Sequence, residues 1–265
     1  MTQHEALQSG TPKHIQTREA VLEDLWVHFP QHCLVLTDPG ARAAVDIGIA
    51  RAQRHGFHAQ ADVSAFVSLM VLLGVHFDED PQLPWAGASL RKHNAANRRD
   101  AMAALLATSA ARMEPMIGPD GALYRRALAW VLHHDFDEIA AHSEDDPGLH
   151  QLLGLMFRPK YELLGEPAVQ QLIEHGRSLT HAHGLTTNAG VGVWVMLMFL
   201  LGRGFDQDPF HPWASRAVQR RTAENPTDHA GRLHASGLLA IRRYARLTRV
   251  QRNSADERLR RHGSS

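Results

Sequence analysis

The sequence predicts an all-α protein: two tandem helical repeats packed as a pseudo-twofold helical bundle. Three observations predict it. Residues 72–86 read LLGVHFDEDPQLPWA and residues 200–214 read LLGRGFDQDPFHPWA, an offset of 128 that holds without a gap back to His55–Gly56 and His183–Gly184. Over the pairs from 55/183 to 86/214, 17 of 32 are identical, where composition alone would give roughly two or three. The runs before each copy, 63–73 and 191–201, are apolar on almost every side, as a helix in the middle of a bundle must be. Each run ends in a glycine, Gly74 or Gly202, the usual helix stop.

In chain order, residues 1–16 are polar and expected as a disordered tail. The first repeat spans 17–115, a connecting turn and helix 116–145, the second repeat 146–250, and a basic disordered tail 251–265. Val21, Leu22, Leu25 and Trp26 lie at helical spacing, which predicts a helix over about 18–28 that Phe29–Pro30 ends. Thr37-Asp38-Pro39-Gly40 reads as a turn or as the cap of a helix over about 40–54, closed by His55–Gly56. The next helix spans about 60–73. The 191–201 run could be a strand on β-propensity, but the two copies should share one conformation. After the first corner come a short helix, a helix over about 96–114, a turn at 117–121 and a connecting helix over 122–142. Helices at about 148–156, 166–182, 187–201, 212–222 and 228–249 make up the second repeat.

The repeated corner holds the candidate structural motif. Asp80–Pro81 and Asp208–Pro209 read as helix restarts, with Asp as N-cap and Pro at the first helical position. Pro84–Trp85 and Pro212–Trp213 are compatible with a start one step later. Phe77 and Phe205 should fold back on the preceding helix, and Trp85 and Trp213 should be mostly buried beside them. The pairs Asp78/Asp80 and Asp206/Asp208 invite a metal reading. A calcium loop needs Gly at its sixth position and Glu at its twelfth; counted from Asp78 these are Leu83 and Ser89, and from Asp206 they are His211 and Ala217. Capping is the better reading, and on it Asn in place of Asp80 or Asp208 is nearly silent.

The net formal charge is zero and the pI about 7.4, so global electrostatics favours neither nucleic acid nor membrane as partner. Residues 241–261 carry eight Arg against two acids, a basic stripe best read as a solvated face. Cys33 is the only cysteine, the N-terminus lacks a signal-peptide core, and no apolar run reaches membrane-span length; the expectation is a cytoplasmic protein. The 19 histidines cluster at His55/His58, His133–His134 and His181/His183, without HExxH or paired ExxH motifs. No GxSxG, P-loop or dinucleotide fingerprint is present, and neighbouring His32–Cys33 reads as a semi-buried thiol rather than a catalytic pair. No catalytic residue, metal ligand or cofactor is assigned.

Residues 28–33 (HFPQHC), 51–57 (RAQRHGF), 61–63 (ADV) and 72–86 resemble a family of small bacterial all-helical proteins of unassigned biochemistry, found beside type VI secretion effectors and their spike proteins. Residues 181–185 (HAHGL) and 200–214 resemble it more weakly. Family members usually carry one copy of this unit; here there are two. The resemblance implies a non-enzymatic binding protein, an adaptor, chaperone or immunity protein whose partner is a secreted effector, toxin or spike component. The alternatives are a metal-assisted enzyme using the His and Asp clusters, or an oligomeric scaffold.

Overall fold

The computed structural model describes residues 13–92, 97–219 and 225–262, and every regular element among them is helical. Of the disordered tail expected over 1–16, residues 1–12 lie outside the described residues, as do 263–265, while 13–16 already belong to the first helix, whose apolar face from Val21 on carries the turn before it. The first half comprises α1 (Lys13–His28), α2 (Pro30–Arg54), α3 (Gln60–Leu73), α4 (Pro84–Arg91) and α5 (Arg98–Ile117). A 3-10 turn at Pro119–Gly121 leads to α6 (Ala122–His133) and α7 (Phe136–Ala141). The second half comprises α8 (Asp146–Met156), α9 (Arg158–Leu164), α10 (Glu166–Ala182), α11 (Asn188–Leu201), α12 (Pro212–Gln219) and α13 (Pro226–His262). No helix among the described residues is long and apolar enough to cross a membrane.

The sequence reading and the helices differ at several places. Pro30 starts a helix rather than only ending one, because proline at a first helical position lacks nothing the helix needs. The chain continues helically through 30–54, with one non-helical residue, Thr37, at φ 65 and ψ 169. The expected connecting helix over 122–142 breaks at His134–Asp135, where Asp135 forms a capping box with Glu138 and starts α7. The short α9 was not anticipated. The last helix runs on to His262, past the expected end at about 249, so the basic tail expected to be disordered from 251 is helical as far as 262.

Many local features recur at the 128-residue offset. α3 and α11 share bounds (60 and 188, 73 and 201), as do α4 and α12 (84 and 212, 91 and 219). The kink residue Thr37 corresponds to Gly165, which has φ 75 and ψ 158. Gly48 and Gly176 also correspond. A Cβ on either would lie 2.4 Å from Val67 Cγ2 or 2.5 Å from Val195 Cγ2, so each lets its helix close on the central helix.

Helix α3 packs on α1, α2 and α5, while α11 packs on α10, α13, α7 and α8. Two apolar cores result. One is centred on Phe66, Met70 and Phe77 and the other on Trp194, Met198 and Phe205, all fully buried. α3 keeps two polar breaks: Ser64 Oγ donates to Asp24 Oδ2 at 2.6 Å and Ser68 Oγ donates to the Ser64 carbonyl. α11 has none over 190–200, all of them buried except the partly buried Val191, and its first turn is capped by Thr187 Oγ1 accepting from Gly190 N–H. The halves clasp crosswise: α5 packs against α9, and α13 packs against α2.

Thr37 occupies backbone space that β-branched residues avoid, whereas its counterpart is glycine. Thr37→Gly is therefore expected to stabilise the protein by about 1 kcal/mol, relief of backbone strain exceeding the entropy glycine adds to the unfolded chain. Urea unfolding of the two proteins measures it; a loss of stability would show that Thr37 is unstrained.

Candidate functional site

The repeated corners meet at the middle of the molecule. Gly74 and Gly202 end α3 and α11 with φ of 95 and 97, and they face each other. A Cβ on Gly74 would lie 3.0 Å from the Leu201 carbonyl oxygen, and one on Gly202 would lie 3.0 Å from that of Leu73. Each neighbour is main chain and cannot rotate away.

Asp80 and Asp208 bridge this junction in the same manner. Asp80 Oδ1 accepts from Gln82 N–H at 2.8 Å, and its Oδ2 accepts from Arg203 N–H in the other half at 2.7 Å. Asp208 Oδ1 accepts from Phe210 N–H at 2.8 Å, and its Oδ2 accepts from Val75 N–H at 3.0 Å. Both side chains are buried, and burial pushes the Asp208 carboxyl up from its ordinary range. The expected bonds two residues on are present. The caps nevertheless serve turns, since the helices begin at Pro84 and Pro212, so the restart at Pro81 and Pro209 is corrected by one step. The cross-half bonds were not foreseen.

Phe77 and Phe205 are fully buried, as expected. Trp85 and Trp213 are only half-buried, because each begins a short helix at the edge of its core. Trp213 lies 6.4 Å from Phe205, ring centroid to centroid, in the arrangement expected. Asp78 takes part in a cluster the sequence reading missed. Arg51 Nη2 donates to Asp78 Oδ1, His55 Nε2 lies 2.7 Å from Asp78 Oδ2, and Arg51 Nη1 is 3.0 Å from His76 Nδ1. His55 thus turns to a carboxylate. Burial pushes the Asp78 carboxyl up, but the bonds and charges of His55 and Arg51 outweigh it and hold it below its ordinary value. Among the described residues the counterpart Asp206 pairs with His183 alone, 3.7 Å away, because Leu179 stands where Arg51 does. His76 leans onto Gly204, its own counterpart, where a Cβ would sit 2.5 Å from the ring.

The other histidine pairs are structural. His133 and His134 reach back to the carbonyls of Ala129 and Trp130, and His134 stacks on Trp130. His183 stacks on Trp194. Among the described residues no three His, Cys, Asp or Glu side chains are grouped to hold a metal ion. Cys33 is fully buried, its thiol pushed up to about 11 by burial, while adjacent His32 lines a cleft elsewhere.

That cleft, about 580 Å³, lies between the halves beside the glycine pair. Its lining is largely apolar, with Val71, Leu128, Phe157 and Ile241 among its walls and the exposed Leu72 and Leu239 at its edge. Two basic side chains at corresponding positions face it, His32 from the first half and Lys160 from the second. Burial and the nearby His211 lower the His32 imidazole to about 4, so it is neutral at pH 7. The Lys160 ammonium donates to the Phe199 carbonyl at 2.5 Å and is lowered to about 8 by burial, with Asp80 acting in the opposite sense. One signal for Lys160 was available: it is one of three lysines in a chain that otherwise uses arginine. No family profile, curated protein or solved structure matches this chain.

Two expectations follow. Because both oxygens of Asp80 and Asp208 accept backbone N–H groups, an amide there would set its NH2 against a donor. Asp80→Asn and Asp208→Asn should each cost about 1–3 kcal/mol rather than be silent, with no added sensitivity to chelator; melting within a degree of wild type would refute the two-sided acceptor. Arg51→Leu leaves Asp78 buried with His55 alone and should cost about 3 kcal/mol in urea unfolding at pH 7. The depressed Asp78 carboxyl contributes stability that is present above about pH 4 and lost as pH falls through its folded value. The variant should accordingly lose less on acidification than wild type.

Proposed function

We propose that this chain is a non-enzymatic binding protein, an adaptor, chaperone or immunity protein, built as a tandem duplication whose halves are related by a pseudo-twofold axis near Gly74 and Gly202. The reciprocal bonds of Asp80 and Asp208 and the crosswise clasp support that arrangement. The observation that carries the binding role is the apolar cleft at the junction, which exposes Leu72 and Leu239 at its edge. Concave, mostly apolar surfaces between packed elements are where binding proteins take their ligands. The resemblance of residues 28–86 to proteins encoded beside type VI secretion effectors gives the partner class: a secreted effector, toxin or spike component met in the cytoplasm. Co-expression with the products of adjacent genes, followed by size-exclusion chromatography, is the test. Wild type should co-elute with an effector, and Leu72→Glu with Leu239→Glu should abolish co-elution while leaving the melting temperature within a few degrees. Failure of the wild type to co-elute with any adjacent product overturns the reading.

A further inference from the structure

Lys160 is only 8% exposed, and among the described residues it has no ion-pair partner. Among the described residues its one hydrogen bond is to the Phe199 carbonyl, in the last turn of α11, and it lies 5.1 Å from the centre of the Phe199 ring. That carbonyl is free to accept because Arg203 N–H, its helical donor had α11 continued, turns to Asp80 instead. An ammonium has three N–H donors, so two remain beyond this bond. Among the described residues Asp80 is the only carboxylate lining the cleft, and its oxygens already accept from Gln82 and Arg203. Basic residues on the lining include Lys160 and the exposed Arg216 and Arg243. The lining therefore joins apolar walls to an excess of positive charge, with one cation held inside it.

We propose that the cleft binds an aliphatic carboxylic acid, its chain against the apolar walls and its carboxylate on the Lys160 ammonium. This rests on the reading of the cleft as a binding site and specifies a small ligand for it. The volume of about 580 Å³ lies within the range of ligand pockets, about 300–1,000 Å³. A monoanion matches one ammonium; its two oxygens can take the two remaining N–H donors and replace the water that burial removes. A neutral chain of the same length fills the walls equally well but leaves those donors unmet. Discrimination between acid and alcohol is thus the signature of Lys160 rather than of apolar volume.

Isothermal calorimetry of the full chain at pH 7 with decanoate and with decanol tests this. Decanoate should bind wild type at least tenfold tighter than decanol. Lys160→Met, which keeps the length and removes the charge, should weaken decanoate at least tenfold and leave decanol unchanged. Equal binding of the two ligands to wild type overturns the proposal, as does undiminished decanoate affinity in a folded Lys160→Met protein; absence of binding by either ligand does so too. The comparison on wild type alone stands even if the variant does not fold. The result is separable from effector binding: a protein that co-elutes with its effector yet ignores decanoate refutes only the ligand, and the reverse refutes only the partner.

Discussion

The contact between Gly74 and Gly202 is the constraint on which the rest depends. Two helix ends approach main chain to main chain, and each glycine leaves the carbonyl of the leucine before the other, Leu201 or Leu73, only as much room as a hydrogen needs. The backbone groups released where α3 and α11 stop are met by carboxylates from the opposite corner, Asp208 for Val75 and Asp80 for Arg203. A buried N–H without a partner is costly, so the two carboxylates hold the halves in one register. The same two halves also touch through α5 on α9 and α13 on α2.

Around that shared frame the two halves differ at a few corresponding positions, and the differences are chemical. His32 answers to Lys160, Gln82 to Phe210, His76 to Gly204 and Arg51 to Leu179. Phe210 joins the apolar core of the first half, while Gln82 Nε2 donates to the Met198 carbonyl of the second. The cleft is consequently two-faced, with a neutral imidazole on one side and an ammonium on the other.

Much of the helical layout was legible in the sequence, because apolar periodicity and glycine stops are local signals. The bounds of α3 and α10 and the burial of Phe77 and Phe205 could be read directly. What escaped was whatever depends on a partner distant in the chain. Asp80 looks like a cap from its own neighbours, and nothing within several residues announces Arg203. Arg51 is buried by its pairing with Asp78, 27 residues on in the chain, which no local pattern around Arg51 announces. The break read at Thr37–Gly40 falls at Thr37, but nothing in the local pattern announces the helical turns from Pro30 that precede it.

The bonding across Gly74 and Gly202 has the form of an isologous interface, in which each side offers the other the same groups. Between two identical chains such a contact obliges every substitution to appear twice. A lysine at position 160 would then bring a second, like charge into the same cleft, and an arginine at 51 would recur beside the other corner. Joining both halves in one polypeptide removes that obligation, and it makes their meeting independent of protein concentration. One wall can then acquire a charge while the other stays neutral, so a ligand entering the cleft meets a polarity and can be held in a single orientation.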